Sequence, residues 1–165
     1  MHMSELLFIF GLPGVGKSYV ADILKKDFGY SIHNGDEDLP DEMKGALFQK
    51  SDVTDQMRHE FVQRMIKHVK ELTPFHQKLA MHQTLLKEFM REALIQAFPH
   101  AKFILVQCET EIRETRYQER EYFNLGLPYL RKMSDLFDPP KIPFTTLINQ
   151  SAGSDTISKN LQKLL

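Results

Sequence analysis

The residue types and their spacing at positions 11–18 are the clearest indication of a chemical function in this sequence. The run fits the pattern GxxxxGK[ST], in which glycines allow positive φ angles and a close approach of the backbone to an anion. Successive backbone N–H groups can then surround that anion, and a helix beginning beside them adds the positive end of its dipole. The eight residues are Gly11, Leu12, Pro13, Gly14, Val15, Gly16, Lys17 and Ser18.

This pattern predicts a site for the phosphates of a nucleoside triphosphate. We expect Lys17 to contact the β- and γ-phosphates and the Ser18 hydroxyl to ligate Mg²⁺, with Tyr19 as the last nucleotide contact. The alternative is a tight glycine turn that binds nothing. The context favours the phosphate site, because the run follows a short apolar stretch and opens a helical pattern, as the motif requires.

A candidate acid–base group follows the second predicted strand, in the stretch HNGDED at residues 33–38. A carboxylate at this point can accept a proton from a hydroxyl or hold Mg²⁺ through water, and Asp36 is our candidate for both. Asn, Gly and Asp also favour turns, so the same letters are compatible with a turn that has no chemical role.

Four cations are candidates for binding negative charge. Arg58, in DVTDQMRHEF, is suited to a bidentate grip on an anionic substrate, and Lys87 to the lining of an acceptor pocket. Arg116 and Arg120 share a helix face, where two cations repel unless an anion lies between them. The segment NLGLP that follows is a possible hinge for a lid that closes over the phosphates. A solvated surface side chain is the alternative for each of the three arginines.

The elements that must position these groups alternate between strands and helices. Such alternation predicts an α/β fold, a three-layer α/β/α sandwich with a five-stranded parallel sheet. Ligands bind such sheets at the carboxyl ends of the strands. The predicted strands are 6–10, 30–33, 78–82, 103–107 and 144–148, and the predicted helices are 17–28, 52–72, 85–98, 110–120, 129–137 and 154–165. The rim at the carboxyl ends is predicted to comprise 11–18, 34–38, 82–84 and 149–153.

Composition narrows the class of protein. The 165 residues predict a single domain, 1–165, and the net charge of −1 argues against a dedicated nucleic-acid partner. The chain contains no apolar run of 18 residues, so we expect no membrane association and the cytoplasm as its compartment.

In motif order and length the chain resembles small P-loop kinases of the gluconate kinase and shikimate kinase group. The resemblance covers nearly the whole chain and is carried by GLPGVGKS, NGD, VTDQMR with its Arg58, QTLLKEFMR, the spacing RxxxR of Arg116 and Arg120, and the double proline after DLFD. Asn34 is a departure, because it stands where gluconate kinases have the first acid of a pair.

The resemblance implies a P-loop NTPase fold of the nucleoside-monophosphate-kinase-like type, with acceptor-binding helices at about 38–72 and a lid at about 113–138. It implies transfer of the γ-phosphate of ATP, with Mg²⁺, to a hydroxyl of a small and anionic molecule such as a sugar acid, and a possible homodimer. Lys17, Asp36, Arg116 and Arg120 are then the catalytic candidates. Arg116 also contacts the nucleotide, and Asp36, Arg58 and Lys87 bind the acceptor.

Two alternatives remain open at the level of sequence. One is a kinase that acts on nucleotides or on the 5′-hydroxyl of a polynucleotide, since similar glycine loops serve such enzymes. The other is an ATP-binding module without catalytic activity, which the replacement of an acid by Asn34 keeps open.

Overall fold

A five-stranded parallel sheet forms the centre of the computed structural model, which describes residues 4–150 and 153–165. The strands follow the order β2-β3-β1-β4-β5, and every neighbouring pair is parallel. This confirms the predicted sheet. Its strands are β1 (Glu5–Phe10), β2 (Ser31–Asn34), β3 (Lys78–Gln83), β4 (Lys102–Gln107) and β5 (Thr145–Ile148).

Helices connect the strands, as parallel pairing demands. Two short 3₁₀ turns accompany the α-helices, at Gly35–Asp38 and Thr73–Phe75. The helices are α1 (Lys17–Phe28), α2 (Asp41–Phe48), α3 (Asp55–Leu72), α4 (Glu88–Ala97), α5 (Thr110–Gln118), α6 (Leu127–Leu136) and α7 (Ser154–Leu164). Among the described residues, no helix combines the length and the apolar character needed to cross a membrane.

The two faces of the sheet are covered by different helices, which confirms the three-layer architecture. Alternate residues of β1 point to opposite faces. Phe8 and Phe10 join a core that contains Met65 of α3 and Leu94 of α4. Ile9 belongs to a second core cluster, together with residues of α1 and α7. Because both faces are buried, β1 reads as a continuous apolar run rather than as an alternating strand.

Several predicted helix bounds differ from the structure for identifiable reasons. Helix α3 begins at Asp55 rather than at residue 52, because the Thr54 side chain accepts a hydrogen bond from the N–H of Met57 and caps the helix. Helix α4 begins at Glu88 rather than at residue 85, because Leu85 has a left-handed φ of 50° that no α-helix accommodates. The apolar periodicity did not predict helix α2 (Asp41–Phe48), which lies within 38–72, where the resemblance implied acceptor-binding helices. Of the predicted rim, Ser151 and Ala152 lie outside the described residues.

A fully buried arginine fixes the end of β3 to the segment that follows α6. The guanidinium of Arg91 donates hydrogen bonds to the carbonyl oxygens of Leu85 and Asp138, at 2.9 and 2.8 Å, and to Glu88 at 3.0 Å. Its cation also lies 4.6 Å from the centre of the Phe137 ring. The charge is therefore fully paired by hydrogen bonds, which is the condition for burying an arginine without a large penalty.

Replacing Arg91 with methionine should strongly destabilise the protein. The substitution leaves buried carbonyl oxygens and the Glu88 carboxylate without partners, and we expect a loss of about 3–5 kcal/mol in the free energy of unfolding. Urea denaturation followed by circular dichroism measures this loss. Arg64 is exposed on α3, so Arg64→Met is the matched control and should change stability by less than about 0.5 kcal/mol. Equal stability of the two variants would contradict the stabilising role that we assign to the buried guanidinium of Arg91.

Candidate active site

One cavity of about 620 Å³ lies at the carboxyl end of the sheet, between the glycine loop and helices α2, α3, α5 and α6. It brings together Lys17, Asp36, Arg58, Arg116 and Arg120, which lie far apart in the sequence. The cavity is lined in addition by three residues at the end of β3, His82, Gln83 and Thr84. The predicted phosphate site and most of the predicted acceptor residues therefore share one space.

The glycine loop packs too closely against its neighbours to carry side chains at Gly14 or at Gly16. Gly14 has a φ of +88°, and a Cβ atom there would lie 2.6 Å from the carbonyl oxygen of Arg113 in α5. Gly16 has a φ of +92°, and its Cβ would collide with the side-chain amide of Asn149. These contacts hold the loop open as a backbone cradle at the start of α1, the geometry that an anion requires.

Arg116 ties this loop to the end of β5. Its guanidinium donates to the carbonyl oxygens of Val15 at 3.2 Å and Asn149 at 2.8 Å, and also to that of Gln150. The buried Asn149 side chain donates a further hydrogen bond to the Val15 oxygen at 2.8 Å. Arg116 is thus a support of the loop backbone in this structure as well as a lining residue of the cavity.

Lys17 folds back over the loop in which it lies. Its ammonium donates to the carbonyl oxygens of Gly11 at 2.8 Å and Leu12 at 3.0 Å. Removal from water, and to a lesser extent the nearby charge of Arg120, lower the pKa of Lys17 to about 7, while Asp36 acts in the opposite direction. A cation destabilised in this way gains most from a bound anion, because a phosphate restores favourable charge pairing.

Asp36 is oriented from both sides by amides. The side chain of Gln83 donates to its carboxylate at 2.8 Å, and the backbone N–H of Asp36 donates to the side-chain oxygen of Asn34 at 2.9 Å. Gln83 is itself fixed, because its side-chain oxygen accepts from the N–H of Thr84 at 3.0 Å. Asn34 therefore caps the turn that presents Asp36, a task its amide performs as well as a carboxylate would.

The half of the cavity away from the glycine loop is mainly apolar. Arg58 is its buried cation, with 7% of its surface exposed and one ion pair to Asp55 at 3.0 Å. Burial raises the pKa of Tyr129 to about 12 and lowers that of His82 to about 4, so both side chains are neutral near pH 7. The apolar lining includes Leu39, Met43, Leu47, Val53, Phe61, Leu85, Leu86, Met90, Phe123 and Met133.

The segment between α5 and α6 crosses the cavity and contacts α2. The hydroxyl of Tyr117 donates to the carbonyl of Phe123 and accepts from the N–H of Leu125, which folds the segment into a compact loop. The Phe123 ring then packs against that of Phe48, with centroids 5.2 Å apart. An aromatic contact therefore joins the two sides of the cavity.

Some of the predicted residues lie away from the cavity. Lys87 pairs with Asp138 at 3.5 Å and does not contribute to the lining. Tyr19 points outward, with 41% of its surface exposed. Arg113, the first arginine of the predicted lid, is buried beneath the glycine loop, whereas Arg120 lies over the Tyr117 ring at 5.3 Å and lines the cavity.

Sequence reasoning missed the residues that support the site. Asn149 was grouped with the rim, but nothing in its neighbourhood indicated that its side chain would bind the glycine loop across 134 positions of sequence. Gln83 was placed on the predicted rim, within 82–84, but its hydrogen bond to Asp36 was not predicted. Helix α2 contributes apolar side chains to the cavity lining. The helical spacing of Met43, Ala46 and Leu47 after Pro40 would have indicated this helix.

The fold and the cradle define a P-loop domain that binds nucleotides. The chain belongs to the AAA domain family, whose model AAA_18 matches residues 7–125. A comparison with curated proteins gives no match by sequence.

Solved structures with the same fold include kinases at low sequence identity, and this shared fold confirms the resemblance seen in the motifs. A sugar kinase from a Janibacter species has a TM-score of 0.80 and 13% identity over 97% of this chain and 93% of its own. A gluconokinase from Sinorhizobium meliloti has a TM-score of 0.75 and 18% identity, covering 99% and 95%. The APS kinase of Mycobacterium tuberculosis, solved with AMPPNP and APS, has a TM-score of 0.70 and 16% identity, covering 99% and 98%.

Binding of a nucleoside triphosphate should be coupled to proton uptake by Lys17. The free protein holds this amine at a pKa of about 7, and pairing with phosphate raises the pKa again. At about pH 8.5, ATP binding should therefore take up about one proton, and affinity should fall as the pH rises above about 7.

Calorimetric titrations of ATP in buffers with different ionisation enthalpies measure this uptake. Lys17→Arg keeps the charge but cannot lose its proton, so its apparent binding enthalpy should not depend on the buffer. A buffer-independent enthalpy for the wild-type protein would contradict the prediction.

Proposed function

We propose that the protein is an ATP-dependent kinase that phosphorylates a hydroxyl group of a small anionic molecule. One observation carries the proposal: Asp36 is an oriented carboxylate in the same cavity as the phosphate cradle around Lys17. A carboxylate so placed can orient or deprotonate an acceptor hydroxyl that enters from the opposite side. The match to small kinases in fold is consistent with this chemistry.

The residues of the cradle fit Mg²⁺·ATP. The backbone of 11–18 would hold the phosphates, and the Ser18 hydroxyl and the Asp36 carboxylate offer oxygen ligands that suit Mg²⁺. When bound, Mg²⁺·ATP supplies the transferable phosphoryl group and the metal offsets part of its charge. Lys17 and Arg120 would contribute cations on the protein side. Within the predicted lid, 113–138, the contact between Phe48 and Phe123 supports closure of the segment between α5 and α6, which would exclude water.

The acceptor half of the cavity supports a narrower description of the substrate. Arg58 is a buried cation with a single carboxylate partner among the described residues, so it can bind an anionic group of the acceptor. Phe61 and Tyr129 present apolar and aromatic surface beside it. The carboxylate of a sugar acid would pair with the charge of Arg58. The apolar and aromatic lining favours an acceptor that also has an apolar face or a flat ring. The same aromatic surface favours nucleotides as the second candidate class.

The first experiment measures ADP release from Mg²⁺·ATP with a panel of acceptors. The panel contains sugar acids, hydroxylated ring carboxylates such as shikimate, nucleotides, neutral sugars and oligonucleotides with a free 5′-hydroxyl. Release that depends on an anionic small molecule supports the proposal, and release only with nucleotides or oligonucleotides supports the second class. Tight ATP binding without release for any acceptor would overturn the kinase in favour of a binding module.

The same assay tests the proposed role of Arg58. Arg58→Gln removes the charge and should raise the KM for an anionic acceptor by about 10- to 100-fold, the effect expected of a lost charge-assisted hydrogen bond. The KM for ATP should not change. Arg64→Gln on the exposed face of the same helix is the control.

Substituting Asp36 with asparagine should separate binding from transfer. The amide keeps the shape and can still pair with Gln83 after an amide rotation, but it cannot accept the hydroxyl proton. We expect kcat to fall by about 100- to 10,000-fold, while the dissociation constant of ATP without metal remains within about threefold. The exposed Asp41, in the first turn of α2, provides the control Asp41→Asn. Normal turnover by Asp36→Asn would exclude Asp36 as the base.

A further inference from the structure

A second group of ionisable side chains lies outside the cavity lining, between β2, the first 3₁₀ turn and helix α3. It consists of His33, Glu37, Asp38 and His68, which we call the histidine–carboxylate cluster. The ring centroids of the two histidines are 4.3 Å apart, and the ring planes are inclined by 66°. Neither the phosphate cradle nor the proposed acceptor site uses these side chains.

Asp38 fixes both histidine rings from the buried side of the cluster. One carboxylate oxygen lies 2.7 Å from Nε2 of His33, and the other lies 2.8 Å from Nδ1 of His68. A carboxylate accepts hydrogen bonds, so each of these nitrogens carries the proton. The lone pairs of the neutral rings are then on Nδ1 of His33 and on Nε2 of His68.

Glu37 completes the outer side of the cluster. Its carboxylate lies 3.2 Å from Nδ1 of His33, the nitrogen that Asp38 leaves without a proton. One ligand atom from each of His33, Glu37 and His68 lies within 4.8 Å of the others. In a tetrahedral zinc site, bonds of about 2.0–2.2 Å place neighbouring ligand atoms about 3.3–3.5 Å apart. The separation between His33 and Glu37 already matches this value.

Three electron-pair donors that converge in this way can bind one cation between them. We propose that His33, Glu37 and His68 bind a divalent transition-metal ion of the zinc class. Two imidazoles and one carboxylate suit zinc, cobalt or nickel better than magnesium or calcium, which prefer oxygen ligands alone. Asp38 would be the outer carboxylate that orients both rings, the arrangement that supports histidine ligands in metal sites.

The cluster is closed on its inner side and open to solvent on its outer side. The side chains of His33 and Asp38 are 3% and 6% exposed, whereas those of His68 and Glu37 are 37% and 64% exposed. The metal can therefore enter from solvent, and small rotations of the two exposed side chains can complete the coordination. A water molecule can occupy the fourth position.

A metal ion at this site would restrict the conformation of the turn that contains Asp36. His33 precedes Asp36 by three residues and Glu37 follows it directly, so a metal held by both ligands would restrict the backbone between them. The metal site does not depend on the proposed kinase activity, because its ligands and its geometry are separate from the cradle. The two proposals can therefore fail independently.

The test is a titration of metal-free protein with Zn²⁺ in the absence of nucleotide, against a chromophoric competitor. We expect one ion per chain, and binding of Co²⁺ should give the intense visible absorption of a tetrahedral site. His68→Gln and Glu37→Gln should each weaken Zn²⁺ binding by about 10- to 100-fold. His100 is exposed and outside the cluster, so His100→Gln is the control and should bind as tightly as the wild type.

Thermal unfolding of each variant without metal shows that the fold is intact, since both substituted side chains are substantially exposed. Zn²⁺ should raise the melting temperature of the wild type and of His100→Gln more than that of the two cluster variants. Absence of stoichiometric binding by the wild type would overturn the proposal. Equal affinity of the wild type and both cluster variants would overturn it as well, because the ion would then bind elsewhere.

Discussion

The loop between β1 and α1 must direct its backbone N–H groups at an anion, and much of the surrounding structure serves that constraint. Such a loop cannot form regular secondary structure, so it needs partners from outside. The backbone of α5 packs directly against Gly14, and the side chains of Arg116 and Asn149 donate hydrogen bonds to the carbonyl oxygen of Val15. The strand order places β1 between β3 and β4, so the loop emerges at the centre of the sheet, within reach of both halves of the cavity.

On the acceptor side of the cavity, the turn after β2 positions the functional side chains, as the glycine loop does on the phosphate side. Within six residues it contains Asn34, which caps the turn, Asp36, which faces the cavity, and Asp38, which binds two histidines behind it. Hydrogen bonds from His33 and His68 outweigh the effect of burial and hold the pKa of Asp38 below its ordinary value. One short turn thus connects the proposed chemistry on one side to the histidine–carboxylate cluster on the other.

Local signals in the sequence predicted the individual strands and the glycine loop, because each depends on residues that are adjacent in the chain. The alternation of strands and helices then predicted the parallel sheet. The start of α4 was misplaced because the left-handed conformation of Leu85 has no sequence signature in a residue that normally avoids it. The support of Val15 by Asn149 and the pairing of Lys87 with Asp138 depend on tertiary contacts. Arg58 illustrates the same limit: its type indicated anion binding, but only the fold shows that it is buried beside an apolar wall.

The most direct test of the central claim is a calorimetric titration of Mg²⁺·ATP into the wild type, Lys17→Ala and Lys25→Ala. Lys25 is exposed on the same helix and serves as the matched control. The account predicts one site per chain, an affinity about 10- to 100-fold weaker in Lys17→Ala, and no change in Lys25→Ala. Absence of ATP binding by the wild type, or binding that Lys17→Ala leaves unchanged, would contradict a phosphate cradle at residues 11–18.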